Sequence, residues 1–186
     1  MATLPRRSVL AAAGAATALL LLAGCTASGD TASEEAPAAE ATVVNVTEDR
    51  VVTPSRLTAD TAMVAAQAAL AQCQADGLGF VSVSVVDRFG QLQAFVRGDN
   101  AAAHTIEASQ QKAYTAAAFG TDTSDLVSRA DALRDLPGTL FLAGGVSVKL
   151  GDASIAGIGV GGAPSGDADQ ACAAAGLAAI SEDAES

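Results

Sequence analysis

The chain has 186 residues, half of them hydrophobic but only 3% aromatic, with one histidine, no tryptophan, three cysteines and a formal net charge of −11. That acidity excludes a nucleic-acid surface and an anionic membrane surface as natural partners, because both reward positive charge. The single histidine, His104, and the scattered cysteines exclude a multi-histidine or cysteine-cluster metal centre.

Residues 1–25 read as an export signal. Arg6 and Arg7 form a basic start, 9–23 are an apolar run rich in alanine and leucine, and the run closes on Leu22-Ala23-Gly24-Cys25. The run falls short of the roughly 20 apolar residues that span a membrane, and it ends in small residues suited to processing. Leu-Ala-Gly-Cys resembles the lipobox of bacterial lipoproteins, which implies lipidation of Cys25 and a place at the outer side of the cell membrane. Arg6-Arg7 also resembles a twin-arginine signal. Loss of residues 1–24 removes those two positive charges and no acid, taking the net charge from −11 to −13. Residues 26–54 are rich in Ala, Thr, Ser, Glu and Pro and read as a flexible tether. A folded domain over 55–182 and a short tail over 183–186 complete the chain, and the domain is of ordinary single-domain size.

Within the domain, 58–76 reads as an alanine-rich helix capped by Thr58 and stopped at Gly77, with a stripe Met63, Ala66, Leu70, Cys73. The β-branched alternation of 80–87 predicts a strand, and 91–97 returns as its hairpin partner across Arg88-Phe89-Gly90. A helix follows over 104–119, closed by Gly120, then a short helix over 123–134 ended by Pro137. Strands over 140–150 and 153–161 turn at Gly151-Asp152, and 167–181 is the last helix, with Cys172, Gly176 and Ile180 in line. The order α-β-β-α-α-β-β-α predicts an α+β layer fold, an antiparallel sheet flanked by helices. Gly157, Gly159 and Gly162 spell GxGxxG, but no βαβ unit follows. These glycines instead read as a place where a strand packs against a helix, a neighbouring backbone or a ligand.

Cys73 and Cys172 leave two readings open. In an oxidising compartment they pair, closing a loop of roughly 100 residues worth up to about 4–5 kcal/mol in the chain-entropy account. Otherwise they are two buried thiols behaving as small apolar groups.

Four blocks, SVSVVDRFGQLQAFVRGD (82–99), HTIEASQQKAYTAAAFGTDTSDL (104–126), LPGTLFLAGGVSV (136–148) and AGIGVGGAPSGDAD (156–169), resemble the GlcG/HbpS family of haem-binding proteins. The resemblance covers essentially all of 57–180 and is closest to the exported, actinobacterial HbpS-like branch. It implies a profilin-like fold, a symmetric homo-oligomer, haem as cofactor at the surface or between subunits, and communication with a membrane sensor kinase. Haem requires an axial ligand, an apolar slot and partners for two propionates. His104 is the nitrogen ligand on offer, with Thr115 as a hydroxyl alternative in the same helix. Lys112, Arg97 and Arg88 are candidate propionate partners, and Phe89, Phe95, Tyr114 and Phe119 candidate walls. The competing reading of His104 is an exposed residue at a helix start. No Ser-His-Asp constellation is visible, and Asp122 with Asp125 or Asp131 with Asp135 read as solvated helix charges, so catalysis is not expected. The expected function is haem capture, buffering or sensing by a lipid-anchored protein outside the cytoplasm. The rivals are a cofactor-free accessory protein of a membrane receptor and an enzyme that degrades haem or takes another small molecule.

Overall fold

A computed structural model describes residues 45–181. The signal over 1–25 with Cys25, most of the tether and the tail at 183–186 lie outside the described residues. Residues 45–56 are exposed, with one 3-10 turn at Glu48–Arg50.

The first helix, α1 (Ala59–Ala75), starts where the Thr58 hydroxyl accepts from Thr61 N and stops at Gly77, whose φ of 74° suits only glycine well. Strands β1 (Ser82–Asp87) and β2 (Leu92–Arg97) form the expected hairpin, with a bulge that leaves Gln93 as the extra residue between the pairs Val85–Ala94 and Val86–Leu92. Helix α2 (His104–Phe119) follows, closed by Gly120 at φ 63°. The short helix expected over 123–134 is broken into α3 (Thr123–Leu126), a 3-10 turn (Val127–Arg129) and α4 (Ala130–Leu133). Its one fully buried hydrophobic side chain is Leu126, so no apolar stripe holds a continuous helix against the core. The strand expected from 140 begins only at 145, because Gly144 has φ 125° and turns the chain into β3 (Gly145–Leu150). Strand β4 (Ala153–Gly161) and helix α5 (Gly166–Ala178) end the fold. The element order and the antiparallel, helix-flanked sheet are as expected, in the order β2-β1-β4-β3.

One face of the sheet carries Val83, Val85, Ala156, Ile158, Val160, Val146 and Val148 against α1 and α5. The stripe that α1 buries is Ala62, Ala65, Ala66, Ala69 and Cys73, whereas Met63 from the expected stripe is 40% exposed. Small residues bring α1 and α5 close: a Cβ on Gly176 would stand 2.7 Å from the Ala65 carbonyl oxygen. There Cys73 and Cys172 are bonded, with Cα atoms 5.4 Å apart and 99 residues between them in sequence. Of the two readings open from the sequence, the disulfide is the one realised.

The other face is built of serine and glycine. The register aligns Ser84 of β1 with Gly159 of β4 and Gly145 of β3, and Val86 with Gly157 and Ser147. Helix α2 lies directly on these columns. A Cβ at Gly157 would collide with the Ala113 carbonyl, and one at Gly159 with the Ser109 carbonyl and the Ala113 amide. The glycine motif is therefore a helix-on-strand contact. The buried hydroxyls in this layer pair off, Ser82 with Thr105 and Ser84 with Ser109, each at 2.7 Å. Ser154 donates to the Ala117 carbonyl at 2.7 Å. Each satisfied pair contributes about 1 kcal/mol, and an unmet hydroxyl there would cost more.

Candidate functional site

The third column of that face belongs to β2, where Arg97, Phe95 and Leu92 stand opposite Ser82, Ser84 and Val86. None of the three is fully buried. At the Arg97 end of this column, α2 begins. Ala103, the residue before the helix, supplies no side-chain cap. The guanidinium of Arg97 instead reaches the preceding loop, donating from Nε at 2.8 Å and from Nη2 to the Ala101 carbonyl. Three residues on, His104 is exposed and its ring has no hydrogen bond or ion pair among the described residues. His104 and the Arg97–Ala101 contact thus lie at the same end of α2.

Thr115 and Lys112, the other two residues proposed to hold the cofactor, are turned inward. The stripe His104, Ala108, Gln111, Thr115 runs along α2 at helical spacing, from an exposed start to a buried end. At that end the Thr115 hydroxyl donates to the Gln111 carbonyl at 2.7 Å and accepts from Leu140 N at 2.8 Å. It is fully buried beneath the loop that contains Leu140. Lys112 is 96% buried, and its Nζ lies 2.6 Å from Asp169 Oδ2 at the start of α5. The ammonium meets the carboxylate beside Gly144, where a Cβ would stand 2.8 Å from Nζ. Asp169 Oδ1 accepts from Ala163 N at 3.0 Å. Burial pushes the Asp169 carboxyl above its ordinary value, against the opposing pull of Lys112 and of the loop N–H groups.

The sequence carried one sign of this fate for Lys112, which stands three residues after Ser109 and four before Ala116, inside the stripe that α2 buries. Its partner, 57 residues away, left no local trace. A second network was also missed. Asp122 Oδ1 accepts from Ser147 N at 3.0 Å, and Gln170 bridges Asp122, the Gly144 N–H and the Gly145 carbonyl. Asp122 is therefore a structural anchor for β3, while Asp125 and Asp131 on short helices and Asp135 in the turn that follows are exposed.

The aromatic residues do not converge on one slot. Phe119 packs edge-on against Phe141 with ring centroids 5.3 Å apart. Tyr114 lies over the hairpin turn, where a Cβ on Gly90 would come 3.0 Å from its ring. Phe89 is 61% exposed at that turn, and Phe95 is half-buried on β2. Arg88 donates to the Ser154 carbonyl at 3.3 Å.

Comparison with known proteins places this geometry. A crystal structure of HbpS superposes with a TM-score of 0.71 at 42% sequence identity, covering 75% of this chain and 100% of that one. The double mutant of Streptomyces reticuli HbpS gives 0.70 at 41%, covering 76% and 99%. A structure of a PduOC:heme complex gives 0.60 at 27%, covering 68% of this chain and 96% of that one. Among curated proteins, none matches. Residues 57–178, which span α1 through α5, match the family described as haem degrading protein HbpS-like, and the chain belongs to that HbpS-like family.

Proposed function

We propose that this protein binds haem outside the cytoplasm while held to the membrane by a lipid on Cys25, and that it serves haem capture, buffering or sensing. The observation that carries the reading is the exposed imidazole of His104, without a hydrogen bond or ion pair among the described residues, at the same end of α2 as the Arg97–Ala101 contact. An imidazole nitrogen is a good axial ligand for haem iron. Arg97 spends Nε and Nη2 on Ala101 and keeps Nη1 for a propionate. The membership in a family described by haem chemistry and the likeness to a haem complex support the same ligand.

A haem on an exposed imidazole leaves much of its macrocycle in water, so a second copy of the chain is the natural cover, with the haem at or between subunits. A membrane sensor kinase is the partner through which such a protein would report haem. Hemin titration of the purified protein, followed by absorption and by size-exclusion chromatography, tests the proposal. A Soret band that sharpens and saturates at one haem per subunit or per dimer is the expected result. Absence of any spectral change would leave a cofactor-free accessory protein, and progressive loss of the band with reductant and oxygen would mark a haem-degrading enzyme.

A further inference from the structure

At the opposite end of β2 from Arg97, two clefts meet at Arg56. One, of 430 Å³, lies between the start of α1 and the edge strand and is lined by Arg56, Leu57, Leu92 and Gln93 among others. The other, of 220 Å³, is bounded by Arg56, Asp87 and Phe89 among others. Arg56 is exposed, and its guanidinium has no hydrogen bond or ion pair among the described residues. Gln93, the bulge residue, donates from Nε2 to the Leu57 carbonyl at 2.6 Å, which fixes its amide orientation. Its Oε1 is then buried with no partner, the one such side-chain atom among the described residues. A buried acceptor left unmet costs about 1–3 kcal/mol, so the site is short of one donor.

We propose that this double cleft binds an amino acid or short peptide with an apolar side chain. The ligand carboxylate pairs with Arg56, its N–H donates to Gln93 Oε1, and its side chain lies against Leu92 and Phe89, which are 48% and 61% exposed. The larger cleft falls in the range of about 300–1,000 Å³ typical of small-molecule sites. A single charge suits it better than a phosphoryl dianion, because Arg56 is its one cation and Asp87 stands across the smaller cleft. Asp87 Oδ1 is occupied by Phe89 N at 2.9 Å and Gln91 N at 3.0 Å, so that carboxylate holds the turn that carries Phe89. The inference uses neither His104 nor Arg97 and stands or falls separately from the haem reading.

The experiment is a titration of the full chain in detergent with L-leucine, read by calorimetry and by the side-chain amide resonance of Gln93. Leucinamide, which lacks the carboxylate, and 4-methylpentanoate, which lacks the N–H donor, serve as paired controls. Saturable binding of leucine or glycyl-leucine is expected, with each control at least about tenfold weaker, as loss of one charge-assisted hydrogen bond requires. Arg56→Gln should abolish binding and Arg56→Lys should keep part of it, while the urea midpoint stays unchanged because Arg56 is exposed and unpaired. The tighter of leucine and the dipeptide identifies the source. No saturable signal at millimolar ligand, equal binding of leucinamide, or undiminished binding by Arg56→Gln would each overturn the proposal.

Discussion

A methyl group at Gly159 would meet the Ser109 carbonyl, the Ala113 amide and, at 2.9 Å, the Ala113 Cβ, all on α2. Helix backbone cannot yield as a flexible side chain can, so Gly159→Ala should cost about 3 kcal/mol or more. Gly151, at φ 59° with no heavy atom within 4 Å of an added Cβ, bears only conformational strain, and Gly151→Ala should cost about 1 kcal/mol. Urea unfolding of the two variants compares them, and equal losses would refute the helix-on-glycine packing. At the same scale, Lys112→Met should lose about 4 kcal/mol by leaving Asp169 buried and unpaired. A double variant, Lys112→Met with Asp169→Leu, should recover most of that loss, because buried ion pairs are replaceable by apolar residues of similar volume. Failure of the double variant to recover would point to a role for the pair beyond mutual neutralisation.

Among the elements, α2 was the most legible. Its span of 104–119 followed from the glycine stop and the helical spacing, and the structure has the same ends. The turns at Gly151 and Phe89-Gly90 and the strand over 153–161 were also legible, since turn glycines and β-branched runs are local signals, whereas the start of the strand before Gly151 was not. What escaped was set by distant partners. The 123–134 segment has a helix-like composition, but Asp122, the residue just before it, is committed to Ser147 and Gln170 rather than to a cap. In the candidate site, the exposure of His104 was one of two readings in the sequence. The burial of Thr115 depends on Leu140, which lies 25 residues on in the chain. The α1–α5 layer, made of alanine and glycine, has little apolar volume to hold it together, and the Cys73–Cys172 bond spans it. Replacing both cysteines by serine should lower stability by up to about 4–5 kcal/mol. An unchanged urea midpoint would show that small-residue packing alone suffices.

For the whole molecule, the acidic chain pairs a sheet-and-helix domain with an N-terminal sequence that reads as a lipid-attachment signal. None of the helices among the described residues is long and apolar enough to cross a membrane. In the proposed reading membrane residence depends on Cys25, and Cys25→Ala should move the protein from the membrane fraction to the soluble one. Persistence of the variant in the membrane fraction would contradict lipid anchoring. The two proposed ligands sit at opposite ends of β2, haem by Arg97 and His104, the amphoteric ligand by Arg56 and Gln93. The most direct measurement is the hemin affinity of the His104→Ala variant against the unaltered chain, with both held to the same fold by circular dichroism. Affinity should fall at least about tenfold and the Soret maximum should shift, as expected when an axial imidazole is lost. An identical spectrum and affinity would contradict the assignment of His104 to the iron.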